Sequence, residues 1–210
     1  MSTKREVSVE LYQVGKWYGH RRVFVGVSAR VEWGKVLVVA GPNGSGKTTL
    51  LRILSGLTRP TRGEVVLRLD GRVLAPAEWR FYLGLVAPEV ALYEELTAEE
   101  NVEFFARVRG LGLKRGEIEK RLAQVGLAER GRDLVGEFST GLKQRLKFAL
   151  ALVHDPPILL LDEPGTNLDE AGRALVEQVI AVQRRRGVTV LATNNPREVE
   201  YGDQVLQLGA

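Results

Sequence analysis

The sequence has no cysteine and only two histidines, His20 and His154, among its 210 residues. The lack of cysteine excludes disulfide bonds, thiol catalysis and zinc sites with cysteine ligands. The two histidines lie far apart in the chain and in unlike sequence contexts. We therefore expect no metal site that depends on histidine.

Long hydrophobic runs are absent as well. No run approaches the roughly 18 apolar residues that a membrane-spanning helix requires, and the N-terminal segment MSTKREVSVELYQV has no apolar core of signal-peptide length. These absences predict a soluble, cytosolic chain. If it serves a membrane, we expect it to do so as a peripheral subunit.

A large excess of one charge is absent as well. The 30 basic and 26 acidic residues leave a net charge of only +4, which is spread along the chain. Two basic clusters, Arg21-Arg22 and Arg184–Arg186, allow contact with nucleic acid as one interpretation. A solvated face is the interpretation we favour, and we expect no nucleic-acid partner. The length and a hydrophobic content of 44% predict one domain, or one core with a lobe.

Strand and helix patterns alternate along the chain. Continuous apolar runs at 35–40, 156–164 and 187–193 predict strands that are covered on both faces. Further strands are predicted at 7–14, 23–31, 63–71 and 203–209, and helices at 48–55, 97–111, 114–127, 142–153 and 170–186. This alternation predicts an α/β fold with a largely parallel sheet. We expect one domain over 1–210, with its core in 1–96 and 154–210 and a helical lobe at about 97–153.

The start of the helical stretch carries a local signal of its own. Thr97 is a good N-cap residue, and Glu100 stands three positions later. Together they form a capping box, in which each side chain accepts from the other residue's backbone N–H. The pair therefore predicts that a helix begins at this point.

The segment GPNGSGKT, Gly41 to Thr48, matches the pattern G-x-x-x-x-G-K-[ST] without a mismatch. It follows a buried strand and opens a helix, so its backbone N–H groups and the helix dipole are placed to hold phosphate oxygens. Lys47 is predicted to reach the β- and γ-phosphates, and the Thr48 hydroxyl to bind Mg²⁺. The predicted ATP-binding residues of this loop are Gly41, Pro42, Asn43, Gly44, Ser45, Gly46, Lys47, Thr48 and Thr49. The motif leaves kinase, GTPase, DNA-repair ATPase and transporter ATPase open.

Two adjacent carboxylates end the buried strand ILLLDEP. Asp162 is suited to hold Mg²⁺ through a water, and Glu163 to polarise an attacking water. A second helix start, at Ser139 with Gly141 in its first turn, is another candidate anion site. These features add a metal site and a catalytic base to the nucleotide site.

Five motifs in order now resemble the ATP-binding subunit of ABC transporters over nearly the whole chain. GPNGSGKTTLL looks like that family's Walker A, FSTGLKQR like its signature, ILLLDEP like its Walker B and TNLD like its D-loop, which ends in Asp169. KWYG resembles the region that carries the adenine-stacking aromatic, here Tyr18. The resemblance implies a P-loop NTPase core of RecA type, an antiparallel β subdomain, a helical lobe, ATP and Mg²⁺.

The resemblance also implies a head-to-tail dimer of ATPase subunits, homodimeric or heterodimeric. Each ATP would lie between the Walker A of one subunit and the signature residues Ser139, Thr140 and Gly141 of the other. Closure on ATP and opening after hydrolysis would drive a multispan membrane partner. The chain would thus be an ATPase on the inner face of the cell membrane.

Three departures from the family pattern stand out. Thr140 and Leu142 replace the usual glycine and glutamine of the signature, a variation that resembles certain exporter subfamilies. Pro88 stands where the family has a glutamine, so that either Glu89 substitutes or the loop is only a mechanical contact. Asn194 stands at the switch histidine, where it can donate a hydrogen bond but cannot carry a charge. Asn194 therefore predicts slow hydrolysis with nucleotide binding retained. The alternative is that Asn194 works adequately with Glu163 as the base.

The leading prediction is an ATP-hydrolysing subunit of a transporter, most similar to exporters. The short length and LLRILSGLTRPTRGEVVL also resemble the subunit of the heme exporter of cytochrome c maturation. A soluble ABC ATPase of DNA repair or translation is one alternative. A regulatory module that binds ATP and hydrolyses little is another, because of Pro88 and Asn194.

Overall fold

A computed structural model describes residues 6–166 and 168–209 of the chain. Asn167 of the predicted D-loop, and residues 1–5 of the N-terminal segment considered above, lie outside the described residues. Within the two described ranges, no helix combines the length and the apolar character needed to cross a bilayer.

The elements follow the predicted alternation of strands and helices. The strands are β1 (Val7–Tyr18), β2 (Arg21–Glu32), β3 (Val36–Ala40), β4 (Arg62–Leu69), β5 (Arg72–Val73), β6 (Leu83–Val86), β7 (Ile158–Asp162), β8 (Val188–Thr193) and β9 (Gln204–Gln207). The helices are α1 (Lys47–Leu54), α2 (Ala98–Val108), α3 (Arg115–Gln124), α4 (Thr140–Ala151), α5 (Glu170–Gln183) and α6 (Pro196–Val199). Short 3₁₀ segments are Pro76–Phe81, Ala128–Arg130 and Val135–Glu137.

A parallel sheet of order β6-β7-β8-β3-β9 forms the centre of the fold. Every residue of β3, β7 and β8 is buried, because apolar side chains cover both faces of these strands. One apolar cluster combines this sheet with α2 to α5, and the other combines it with α1 and the antiparallel strands. The predicted α/β class with a mostly parallel sheet is confirmed. The carboxyl ends of β3, β7 and β8 meet at one edge of the sheet, where the motifs lie.

A second, antiparallel sheet has the order β2-β1-β4-β5. β1 lies in its interior, with Val9 opposite Val31 of β2 and Leu67 of β4. An Asp-Gly turn joins β4 to β5, with Asp70 and Gly71 both at positive φ. The antiparallel part that the resemblance implied is therefore present.

The predicted capping box at the start of α2 is confirmed. Thr97 Oγ1 accepts from the N–H of Glu100 at 3.2 Å, and Glu100 Oε2 accepts from the N–H of Thr97 at 2.8 Å. Both hydrogen bonds satisfy backbone donors that have no partner within the helix, which explains why the helix begins at Ala98.

Strand β6 was not predicted from the sequence. It has four residues and pairs in parallel with β7 at the edge of the sheet. A short apolar run carries no periodicity that separates a strand from a loop or from the start of a helix. Only pairing with the distant β7 defines it.

The basic cluster Arg184–Arg186 makes specific contacts at the end of α5. Arg184 donates to the carboxylate of Asp203 at 2.6 Å, and Arg186 donates to that of Asp155 at 2.5 Å. Two of these three side chains thus join α5 to other segments of the chain, where the sequence predicted only a solvated face.

His154 is held in its neutral form between helices and sheet. Burial, together with the charge of the Arg109 guanidinium 3.2 Å from Nε2, lowers the pKa of His154 to about 4. Since the pKa of an unfolded histidine is about 6.5, the unfolded chain binds a proton that the folded chain does not. We expect the free energy of unfolding to fall as the pH drops from about 6.5 to about 4.

This expectation is checked by urea unfolding of the wild type and of His154→Gln between pH 4 and pH 7.5. The difference between the unfolding free energies of the two proteins should change between about pH 6.5 and about pH 4 and be constant above about pH 6.5. The matched control is His20→Gln, because His20 is exposed. An unchanged difference at every pH would contradict the assignment.

Candidate functional site

The loop between β3 and α1 has the backbone of a phosphate cradle. Gly46 has a φ of 102°, and a Cβ at this position would meet the side chains of Val23 and Phe24 at 2.6 and 2.8 Å. No side chain caps the first turn of α1. The backbone N–H groups at the start of α1 are thus left for a ligand, as anion binding at a helix N-terminus requires.

Lys47 lies at the centre of this cradle and is only 5% exposed. Its Nζ donates to the carbonyls of Gly41 at 2.9 Å and Pro42 at 3.2 Å, and lies 3.2 Å from Glu163 Oε1. A buried ammonium needs such partners, because an unpaired charge away from water is costly. Walker A and the end of Walker B therefore meet directly in this chain.

Asp162 is the most deeply buried carboxylate of the site, with 1% exposure. Neither carboxylate oxygen has a hydrogen-bond partner among the described residues. Burial raises the pKa of Asp162, and the nearby Thr48 hydroxyl and Lys47 ammonium lower it in part. Two unsatisfied oxygens beside a threonine hydroxyl form the oxygen-rich surroundings that Mg²⁺ prefers. The residues present fit the predicted metal.

Glu163 and Asn194 lie close together at the carboxyl ends of β7 and β8. The N–H of Asn194 lies 3.5 Å from Glu163 Oε2, and the N–H of Glu163 donates to the carbonyl of Ala192 at 2.9 Å. Asn194 Nδ2 donates to Oδ1 of Asn43 in Walker A at 2.8 Å. Glu163 has a φ of 48°, a left-handed conformation that is uncommon outside glycine and occurs at functional sites.

Of these groups, Lys47, Thr48, Asn43 and Glu163 border one open cleft of about 600 Å³. It is lined by Tyr18, Arg21, Val23, Asn43, Gly44, Gly46, Lys47, Thr48, Thr49 and Glu163. Tyr18 is half exposed at the end of β1, and Lys16 Nζ lies 4.9 Å from the centre of its ring. Arg21 was not predicted as a site residue. It pairs directly with Tyr18 across the turn between β1 and β2, and this pairing brings it to the cleft.

The signature residues start α4, outside the lining of the cleft among the residues that the structure describes. Ser139 is the N-cap, and its Oγ accepts from the N–H of Leu142 at 3.3 Å. Ser139 and Thr140 are exposed and Gly141 is partly exposed. This helix start is therefore open to a second molecule.

Side chains of α4 connect the signature segment to the turn after Walker B, to the D-loop and to the loop after β6. Gln144 donates to the carbonyl of Pro164 at 3.2 Å, and Arg145 contacts the carboxylate of Asp169 at 3.1 Å. Lys147 Nζ donates to the carbonyl of Pro88 at 2.7 Å. The D-loop Asp169 also caps α5 by accepting from the N–H of Gly172 at 2.7 Å.

Glu89, the candidate substitute for the missing glutamine, is paired with Arg52 of α1 at 2.9 Å. Burial raises the pKa of Glu89, but the hydrogen bond and charge of Arg52, a backbone hydrogen bond and the charge of Lys147 together hold the pKa below its usual value. Glu89 is thus held as a carboxylate beside α1, and Pro88 contributes a backbone carbonyl to Lys147.

Comparison with known proteins agrees with this arrangement. A sequence profile of the family described as ABC transporter matches residues 24–166. The chain is 38% identical over 192 residues to the daunorubicin resistance ATP-binding protein DrrA3 of Streptomyces coeruleorubidus, covering 90% of this chain and 60% of that protein. It is 32% identical over 194 residues to the lantibiotic transport ATP-binding protein SrtF of Streptococcus pyogenes, covering 92% and 82%.

A solved structure described as the ATP-binding subunit of an ABC transporter superposes with a TM-score of 0.82 at 28% identity. The match covers 95% of this chain and 85% of that one. The chain spans about three fifths of the length of the drug-resistance relative. The fold and the family resemblance read from the sequence are both confirmed by these matches.

Proposed function

The chain belongs to the ABC transporter family, and from this premise we propose that it binds and hydrolyses ATP to power a membrane transporter. The observation that carries the proposal is the contact of Lys47 Nζ with both the Walker A carbonyls and Glu163. It joins a phosphate-binding loop to a candidate catalytic base within one cleft. We also propose that the chain forms one domain, with the core and lobe bounds predicted from the sequence.

Binding of the triphosphate rests on Walker A. The free N–H groups at the start of α1 and the ammonium of Lys47 supply the positive charge, and the ring of Tyr18 borders the same cleft. The Thr48 hydroxyl and the Asp162 carboxylate would hold Mg²⁺. When bound, the ion would neutralise charge on the phosphate oxygens.

Hydrolysis requires a base and a group that orients it. Glu163 accepts the proton of the attacking water, while Asn194 donates to Asn43 and its N–H faces the carboxylate of Glu163. Lys47 has to release its contact with Glu163 when it turns to the phosphates. We propose the assignments Lys47, Glu163 and Asn194 as catalytic residues on this basis.

A second copy, or a related ATPase subunit, completes the site in this proposal. Ser139 and Thr140 are exposed at the start of α4, where backbone N–H groups can donate hydrogen bonds to an anion. In a head-to-tail dimer these residues and Gly141 would cap an ATP bound to the partner's Walker A. Arg145 and Asp169 would link that cap to the D-loop of the same chain.

We infer the membrane partner and the direction of transport from the names of the relatives. One is named for daunorubicin resistance and another for lantibiotic transport, so we propose an exporter whose ATPase subunit lies at the cytoplasmic face of the membrane. These names give no support to the heme exporter, which stays a prediction from sequence resemblance alone. A regulatory module that binds ATP and hydrolyses little is the second candidate, favoured by Asn194.

The test is ATP binding and steady-state hydrolysis by the purified chain, followed by co-purification with membrane proteins. We expect micromolar to millimolar affinity for ATP and hydrolysis that chelation of divalent cations abolishes. Binding without single-turnover hydrolysis would favour the regulatory module. Failure to bind ATP at millimolar concentration would contradict the proposal.

Asn194→His is expected to accelerate hydrolysis. A histidine can form a charged hydrogen bond to the γ-phosphate, and such a bond contributes about 1.5–3 kcal/mol more than none. This corresponds to roughly one to two decades in rate if the amide of Asn194 makes no comparable contact. The measurement is the turnover number at saturating ATP, with Gln204→His as the matched control, because Gln204 is an exposed residue of β9 outside the lining of the cleft. A fast wild type that gains nothing from Asn194→His would contradict the prediction of slow hydrolysis.

A further inference from the structure

Glu198 is a buried carboxylate that none of the roles above uses. It lies on α6 and is only 6% exposed. Thr193 Oγ1, at the end of β8, donates to Glu198 Oε2 and accepts from the N–H of Asn195 at 2.9 Å. Glu198 thus fixes the hydroxyl of Thr193, and this hydroxyl in turn holds the backbone of Asn195. Thr193 and Asn195 are the two neighbours of Asn194 in the chain.

The other oxygen of Glu198 faces the turn that follows Walker B. A Cβ built on Gly165 would lie 2.1 Å from Glu198 Oε1. The carboxylate therefore fills the space that any side chain at position 165 would need. Burial raises the pKa of Glu198 above its usual value. Hydrogen bonds from Thr193 and from the backbone of Gly165 lower this pKa in part, and the charge of Glu163 raises it. Both segments therefore act on the Glu198 carboxylate.

The two segments that meet at Glu198 carry the catalytic pair. Asn194 stands directly after Thr193, and Glu163 stands two residues before Gly165. Their mutual contact is long, at 3.5 Å from the N–H of Asn194 to Glu163 Oε2. A contact of that length gives little orientation to the pair by itself. The bond from the N–H of Glu163 to Ala192 holds the two strand ends, and Glu198 adds a second link beyond them, between the turn after Glu163 and the loop of Asn194.

Building on the proposed function, we propose that Glu198 is a positioning residue for ATP hydrolysis, whose carboxylate joins the Asn194 loop to the turn after Glu163. It acts through Thr193 and Gly165 and touches no reacting atom. We expect loss of this link to leave the phosphate cradle around Lys47 unchanged, since Glu198, Thr193 and Gly165 are not among the residues that line the cleft. It alters the alignment of Glu163 with Asn194, and such misplacement lowers catalytic rates.

The test combines two variants that break the same contact from opposite sides. Glu198→Ala removes the carboxylate, and Gly165→Ala displaces it with a methyl group. We expect each to lower kcat by about tenfold, with KM for ATP and the affinity for ATP changed by less than about twofold. Glu198→Gln, which can still accept from Thr193, should keep kcat within about threefold of the wild type.

The double variant Gly165→Ala/Glu198→Ala should be no slower than either single variant, because both act on one contact. Matched controls are Glu200→Ala, an exposed carboxylate near the same helix, and Gly112→Ala, where a Cβ meets nothing within 4 Å. Thermal unfolding and ATP binding are measured for every variant, and these establish folding independently of activity.

Losses that multiply in the double variant, an unchanged kcat in Glu198→Ala, or a Glu198→Gln that is as slow as Glu198→Ala would each overturn the positioning role. A wild type that binds ATP but never hydrolyses it would instead contradict the proposed function itself. The two failures are thus told apart by the wild-type turnover measured in the same series.

Discussion

Glu163→Gln is expected to lower the turnover number for ATP hydrolysis by about 10² to 10⁴-fold. Glutamine has nearly the shape of glutamate but cannot accept a proton from water, so the loss is confined to the chemical step. ATP binding should be retained or tightened, because the variant also removes the negative charge next to Lys47. The measurement is single-turnover hydrolysis beside equilibrium binding of ATP.

The matched control for this variant is Glu64→Gln, an exposed carboxylate on β4 outside the site. It should hydrolyse ATP at the wild-type rate. A Glu163→Gln chain that retains more than about a tenth of the wild-type turnover would remove Glu163 from the role of base.

Lys47→Met is expected to weaken ATP binding by roughly 10 to 150-fold. The estimate follows from the loss of hydrogen bonds between an ammonium and charged phosphate oxygens, which contribute about 1.5–3 kcal/mol. Methionine fills a similar buried volume without the charge, so the fold should be retained. Isothermal titration with ATP measures the affinity directly.

Lys120→Met serves as the control, since Lys120 is an exposed lysine of α3. Its affinity for ATP should match that of the wild type. Equal affinity of the Lys47→Met chain and the wild type would mean that the ammonium does not contact the phosphates.

Local signals in the sequence predicted the centre of the fold and of the site. The motif from Gly41 to Thr48, the capping box at Thr97 and the buried strands before Glu163 and Asn194 each depend on a few neighbouring residues. Short-range sterics and hydrogen bonding determine such features, so the order and spacing of neighbouring residue types are enough to predict them. The same reasoning missed β6, which exists only through pairing with β7.

Contacts between distant segments were beyond local patterns. The hydrogen bond from Asn194 to Asn43 requires that β8 lies beside β3, and the position of Arg21 at the cleft requires the turn after Tyr18. Glu198 looked like any charged residue of a short helix, because its burial depends on Gly165 leaving space for it. Strand order and burial arise from the whole packed chain, and a single sequence does not state them.

The proposed mechanism requires a nucleotide that is shared between two ATPase subunits. The most direct test is an experimental structure of the Glu163→Gln chain with ATP and Mg²⁺. We expect two copies in head-to-tail arrangement, each ATP held by the loop around Lys47 of one and capped by Ser139 and Gly141 of the other. An empty loop, or an ATP bound at Lys47 that no second copy covers, would contradict the proposed mechanism.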